Sequence, residues 1–299
     1  VIKTETFTAF KGSRLVQGMM RLKDWNWNAQ QLLDYLLQLQ AMGVDTFDHA
    51  DIYGNYQCEQ AFGAALKLQP QVRSQMKLIS KCGIVLPTAP QSLHQSKFYD
   101  VSKKHILTSV ENSLKHLNTD YLDLLLVHRP SPFVDFQEVN EAFMLLFDSG
   151  KVLHFGLSNF SPQRFQIWQQ QIEVPLEVNQ VEVSVFQLQE FESGNFDFYQ
   201  SQHILPMAWS PMGGGKLIEN NDIYTRLLPL LQELKEEYRV SDVEVILWSW
   251  LFNHPSKMSA ITGTHSITKV KSAIEGMQIN LSLEDWYRVY TLARGQRLP

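Results

Sequence analysis

The chain has 299 residues, enough for one large domain or two ordinary ones. At 44% hydrophobic and 19% charged it has the composition of a globular protein, and a net charge of −5 with a pI of about 6.0 gives no electrostatic case for nucleic acid as a partner. Its two cysteines, Cys58 and Cys82, form no C-x-x-C pair or disulfide framework, no apolar run approaches the roughly 18 residues of a membrane span, and the first residues lack a signal-peptide stretch, so a cytoplasmic protein without a membrane partner is expected.

Short apolar runs alternate with helix-period segments from end to end. A strand over 14–22 precedes a helix over 29–42, with Asn28 as its cap and Gly43 as its stop. A strand at 44–50 is followed by a helix over 56–68, and a strand at 76–81 by a long polar connection, 84–100. The segment 101–117 carries Val101, Ile106, Val110, Leu114 and Leu117 near helical spacing. A buried strand at 121–130 and a helix over 136–148, ended by Ser149-Gly150, come next. The strand 152–160 runs into a helix begun by Ser161-Pro162, with proline at its first position. A strand at 176–184 leads to a less regular stretch, 186–202, and a strand from 204 runs into a glycine-rich loop. Helices over 222–239 and 242–253, a strand at 258–266, a helix from 268 and an amphipathic helix over 282–294 complete the chain.

Eight such units, with no Pro/Gly/Ser-rich linker between them, predict one (β/α)8 barrel domain over 1–299 with a C-terminal amphipathic helix. A doubly wound sheet would want G-x-G-x-x-G after its first strand, and Gly18-Met19-Met20-Arg21 does not supply it.

Three successive predicted strands end in polar groups: Asp48 with Tyr53, then Lys81, then His128. Singly, Tyr53 reads as a half-buried structural phenol, His128 as a hydrogen-bonded strand-end histidine, Asp48 as a loop or cap residue and Lys81 as solvated surface. Together, at the ends where barrels keep their chemistry, they form a proton-delivery set. Reducing a carbonyl needs hydride at carbon and a proton at oxygen. A phenol, with a reference pKa near 10, becomes a better acid beside an ammonium. Tyr53 suits the acid, Lys81 its cationic neighbour, Asp48 the partner of Lys81, and His128 a hydrogen-bond donor to the substrate oxygen.

Here a family is visible. Asp48-His49-Ala50-Asp51-Ile52-Tyr53-Gly54 with Glu59, then Lys81, His128 and Gly156-Leu157-Ser158-Asn159, resemble the aldo/keto reductase superfamily. The segments HADIYGNYQCE, LLLVHRP, KVLHFGLSNF and PMAWSPMGGGKL are most similar to its bacterial, uncharacterised-oxidoreductase branch. The resemblance implies an NADP-dependent reductase of aldehydes or ketones, with Ser158, Asn159 and Gln180 on the nicotinamide carboxamide and Trp209 stacked on its ring. It further implies a pyrophosphate loop of Ser210, Pro211, Met212, Gly213, Gly215, Lys216 and Leu217, and an adenosine 2′-phosphate site at Gly263, Thr264 and Lys269. The last site departs from the better-known pattern of Lys-Ser, then Arg, then Glu-Asn: Gly263-Thr264 and Lys269 stand at the first positions and Ser272-Ala273 at the last. NADPH is therefore expected over NADH, with Lys as a point charge instead of a planar fork.

Trp25 and Trp27, just after the first strand, suit an apolar wall for a small-molecule carbonyl substrate, or surface-loop packing. His49 and Asp51 flank the motif without three well-spaced ligands, so no metal is expected. The cysteines read as structural. The alternative function is a cofactor-binding regulatory subunit resembling potassium channel β subunits. A glycoside hydrolase would need two opposed carboxylates, and only Asp48 is well placed. The substrate is not legible, and the oligomeric state is open: no added dimerisation element is visible, and a monomer is compatible with the sequence.

Overall fold

The computed structural model describes residues 9–88, 94–215 and 221–299. Its strands are β1 (Leu15–Gly18), β2 (Thr46–Asp48), β3 (Lys77–Cys82), β4 (Ile84–Val85), β5 (Phe98–Tyr99), β6 (Leu122–Val127), β7 (Val152–Ser158), β8 (Leu176–Glu182), β9 (Leu205–Trp209) and β10 (Ser259–Thr262). Eight of them run in the closed order β1-β10-β9-β8-β7-β6-β3-β2, the expected (β/α)8 barrel. β4 and β5 form a separate antiparallel pair inside the predicted polar connection. The strands read as continuous apolar runs because both faces of a parallel barrel are covered, and β6 is buried along its whole length.

The chain divides into two compact units, Val1–Gln180 and Val181–Pro299. In the first, the helix Ala29–Ala41 begins at a full capping box: Asn28 accepts from the Gln31 amide, and Gln31 accepts from the Asn28 amide. The helix Pro162–Gln171 starts at Ser161 with proline in its first turn, as read from the sequence. The second predicted helix starts later, at Cys58, because Asn55 and Tyr56 hold left-handed conformations (φ 53° and 66°) that no α-helix accommodates. The strand predicted over 14–22 stops at Gly18 and gives way to a 3-10 turn, Leu22–Trp25.

At the amino-terminal end of β3 and β6 sits a buried charge cluster. The Arg73 guanidinium donates to Asp123 (2.9 Å), Thr119 (2.7 Å) and the carbonyls of Met76 and Tyr121. Asp123 also accepts from Lys77 (3.2 Å) and from the Leu78 amide (2.9 Å). Asp123→Ala should lower stability by about 3–5 kcal/mol, because Arg73 keeps its charge and loses the partner that justified burying it. Urea unfolding monitored by circular dichroism would check this, and a loss below about 1 kcal/mol would mean water reaches Arg73.

In the second unit, Phe191, Phe196, Trp250, His254, Trp286 and Tyr290 form one aromatic cluster, with Trp250 and Trp286 stacked at 5.3 Å. The Trp286 indole N–H donates to the Trp250 carbonyl (2.8 Å), which ties the closing helix Leu283–Arg294 to the helix Val243–Phe252. The less regular stretch 186–202 contains two short helices, Gln189–Glu192 and Asn195–Ser201. Among the described residues no helix is long and apolar enough to cross a membrane.

Candidate active site

Strand alternation decides which side chains meet. In β3, Lys81 turns toward Asp48 of β2, while its neighbour Ser80 turns the other way, toward Glu59 of the helix Cys58–Leu68. Lys81 Nζ lies 2.7 Å from both carboxylate oxygens of Asp48, 2.8 Å from the His49 carbonyl and 3.0 Å from the Tyr53 hydroxyl. The side chains of Lys81 and Asp48 are 0% and 3% exposed, so this is a desolvated ion pair. Tyr53 arrives on the turn after β2, where its amide donates to the Ala50 carbonyl (3.1 Å). The left-handed Asn55 and Tyr56 then redirect the chain, and both are tied to the β4 loop, by Thr88 to Asn55 and by the Leu86 amide to the Tyr56 hydroxyl.

His128 follows β6 directly and meets Tyr53 edge to face, ring centroids 5.9 Å apart. Its Nδ1 is buried and has no hydrogen-bond partner among the described residues. Burial first, then Lys81, Arg129 and Lys97, push its pKa down to about 2, so the ring is neutral at working pH. Burial works against the Lys81 ammonium, but Asp48 and Tyr53 outweigh it and its pKa stands above the ordinary lysine value. Tyr53 corrects one expectation. Lys81 does pull its pKa down, but burial pushes harder and the phenol stands above its ordinary value. It is therefore a fully protonated donor at neutral pH.

Gly156 lies in β7, where the register with β8 shifts between Phe155 and Gly156. A Cβ there would lie 2.5 Å from the Val178 carbonyl oxygen, so only glycine lets the strands approach this closely. That approach sets the end of β7: the Asn159 amide donates to the Gln180 carbonyl (2.8 Å), and Ser158 Oγ to the same oxygen (3.1 Å). Asn159 Nδ2 reaches Ser158 Oγ (2.8 Å) and the His128 carbonyl (3.3 Å). Gln180 donates from Nε2 to Asp48 (2.8 Å).

The other predicted positions lie in the second unit. Trp209, half-buried, ends β9. Ser210, Gly213, Gly214 and Gly215 all have positive φ, and nothing lies within 4 Å of a Cβ placed on Gly215. Pro211 is buried and Met212 half-buried, and Lys216 and Leu217 fall outside the described residues. Gly263 is exposed after β10 and Thr264 accepts from the Ser266 amide (3.1 Å). Lys269 is half-exposed and pairs with Glu244 at 3.5 Å. Trp25 and Trp27 pack against each other and against Tyr35, with centroids 5.1–5.8 Å apart, so loop packing already employs them.

The sequence reading named His49, Asp51 and Glu59 within or beside the motif but not their burial on the helix side of β2 and β3. His49 lies edge-on to Phe62, with neither ring nitrogen bonded among the described residues, and its burial lowers its pKa to about 3. Burial raises the carboxyls of Asp51 and Glu59 to about 7; they accept from Ser109 and Ser80, both at 2.6 Å. The signal available was the serine at the outward position beside Lys81. A carboxyl with a raised folded-state pKa adds stability below its ordinary range and loses it as pH rises to about 7. The Tm of Glu59→Gln, relative to the unchanged protein, should therefore be higher at pH 8 than at pH 5. An equal difference at both pH values would show that Glu59 is ionised throughout. The buried histidines act oppositely: below about pH 6.5 the unfolded chain takes up protons that the buried rings refuse, and stability falls.

Burial pushes both cysteine thiols up, so neither is held as a thiolate. Among the described residues no group of three His, Cys, Asp or Glu side chains is arranged to hold a metal ion.

A parallel barrel with Asp, Tyr, Lys and His gathered at the carboxyl ends of β2, β3 and β6 is the class of protein to which the comparisons also point. The family model described as "Aldo/keto reductase family" matches residues 14–294. The chain is 42% identical to the oxidoreductase YdhF of Escherichia coli K12, covering 96% of this chain and 95% of that protein. It is 39% identical to the uncharacterised oxidoreductase YcsN of Bacillus subtilis 168, covering 96% of each. A 6-dehydroglucose reductase of Agrobacterium fabrum C58 is 36% identical, again over 96% of each. The crystal structure of a thermostable aldo-keto reductase, Tm1743, shares the fold with a TM-score of 0.79 at 21% identity, covering 98% of this chain and 100% of that one. The chain belongs to the aldo/keto reductase family.

Proposed function

We propose that the protein is an NADPH-dependent reductase of aldehydes or ketones, with Tyr53 as the acid. The observation that carries this reading is Lys81 Nζ, which touches Asp48 and the Tyr53 hydroxyl at once. When bound, the nicotinamide supplies the hydride that goes to the carbonyl carbon. Tyr53 Oη gives its proton to the carbonyl oxygen, and the phenolate left behind lies against the Lys81 ammonium until solvent reprotonates it. Neutral His128 donates a ring N–H to the same oxygen and fixes its direction. Asp48 holds Lys81 charged and in place.

The residues present suit the cofactor. Ser158, Asn159 and Gln180 offer both donors and acceptors to a carboxamide. Trp209 offers a half-open aromatic face. The left-handed run through Gly213, Gly214 and Gly215, with Ser210, Pro211 and Met212 before it, suits a backbone cradle for the pyrophosphate. Gly263, Thr264 and Lys269 suit the 2′-phosphate, and Trp25 and Trp27 an apolar wall beside the substrate.

Titration with NADPH and with NADH, followed by tryptophan fluorescence and then by a carbonyl panel that includes an aldehydic sugar, tests the reading. Tight NADPH-selective binding with turnover supports it, and binding of neither nucleotide sinks it. Binding without turnover on any carbonyl would favour the regulatory-subunit alternative. Lys269→Ala should weaken NADPH about tenfold, the scale of one charge-assisted contact, and leave NADH unchanged. An equal loss for both nucleotides would remove Lys269 from the 2′-phosphate.

A further inference from the structure

We propose that Gln180 is a positioning residue of the proton-delivery set, holding Asp48 in the orientation in which both carboxylate oxygens face Lys81. The inference rests on the reading of Tyr53 as the acid. It goes beyond the role that the resemblance implies for Gln180, a contact with the cofactor.

Lys81 alone does not fix the plane of the Asp48 carboxylate. An ammonium is a compact charge without a planar preference. Its donors are also divided among Asp48, the His49 carbonyl and the Tyr53 hydroxyl. Rotation of the carboxylate would cost little Coulomb energy yet draw Nζ away from the hydroxyl. Gln180 removes that freedom. Its Nε2 donates to Oδ1 of Asp48 at 2.8 Å, so this oxygen receives two donors and the other receives Lys81. Gln180 as a whole is 3% exposed, so bulk water competes little for the bond.

Gln180 is itself anchored. Its backbone carbonyl accepts from both Ser158 Oγ and the Asn159 amide. Ser158, the last residue of β7, pairs with Gln180 in the register between β7 and β8. The amide thus reaches Asp48, 132 residues away in the chain, from within β8, where the backbone has little slack.

The test compares Gln180→Leu, Gln180→Glu and Tyr53→Phe with the unchanged protein. Each is assayed with NADPH and the aldehyde that the unchanged protein turns over best, such as 4-nitrobenzaldehyde. NADPH binding is read separately by tryptophan fluorescence. In Gln180→Leu, kcat at saturating NADPH should fall about tenfold whatever becomes of the NADPH Kd, a transition-state loss beyond any loss of the cofactor contact. The alkaline limb of kcat should also move to higher pH, since a less well placed Lys81 favours the Tyr53 phenolate less.

Gln180→Glu supplies a donor only when its carboxyl is protonated. Its kcat relative to the unchanged protein should therefore recover as pH falls. This variant decides the question if Gln180→Leu does not fold. Weakened NADPH binding with kcat and both pH limbs unchanged would overturn the proposal and leave Gln180 as a cofactor contact, while an inactive Tyr53→Phe kept the acid reading intact. Full turnover in Tyr53→Phe would overturn the acid reading and this proposal with it.

Discussion

Tyr53→Phe is expected to cut turnover by about 10^2 to 10^4-fold, the range that a positioned general acid supplies. NADPH binding should be nearly unchanged. The substitution removes one oxygen and no ring volume, and the edge-to-face contact with His128 needs only the ring. Its stability cost is small because the hydroxyl is only one of several acceptors around Lys81 Nζ. The remaining activity comes from orientation of the carbonyl by His128 and from proton transfer out of water. Single-turnover measurements at saturating NADPH read the chemical step directly. Turnover within about threefold of the unchanged protein would remove Tyr53 from proton delivery, whatever the fold and family.

Lys81→Met should lose both activity and stability. Methionine fills a similar volume, so the cavity term is small. The charge term is not. Asp48, 2% exposed, would keep only Gln180 as a side-chain donor among the described residues. Stranding one member of a buried pair costs about 3–5 kcal/mol, seen as a fall of several degrees in Tm. Tyr53 would also lose the cation that pulls its pKa down, while burial, which pushes it up, remains. Its proton would become harder to give, and turnover should fall about as far as in Tyr53→Phe.

Adding Asp48→Asn to Lys81→Met separates the two losses. The double variant should regain part of the stability, because the orphaned carboxylate is gone, and none of the activity. A double variant no more stable than Lys81→Met would show that water or another cation neutralises Asp48. These readouts and those for Gln180 are coupled by contact, so their effects are not expected to add.

Much of the barrel was legible in the linear order of residues. Apolar runs separated by helix-period segments specify a parallel α/β fold, and eight such units without a linker or a G-x-G-x-x-G after the first strand favour the barrel over a doubly wound sheet. Asn28 and Ser161-Pro162 marked their helices correctly because a cap is a contact over two or three residues. Asp48, Lys81 and His128 could be chosen as a set because each stands at or just past a strand end, and the barrel brings successive strand ends together. The misplacements were local in another way. Asn55 and Tyr56 hold left-handed conformations that the apolar spacing of the next helix does not announce. The β4–β5 pair joins segments too short to show alternation.

The electrostatic state of the site belonged to the tertiary structure. Charge alone suggested that Lys81 would leave Tyr53 a stronger acid, but desolvation acts through every neighbouring atom and tips the balance the other way. The same burial makes His49 and His128 neutral and raises the carboxyls of Asp51 and Glu59. Sequence by itself determined the alternation, the helix starts and the strand-end residues, because these follow from contacts within a few positions. Which way Asp48 faces, what Gln180 touches and which protons the buried groups keep were decided only when distant segments closed around them, because hydrogen-bond partners and dielectric surroundings are properties of space and not of order along the chain.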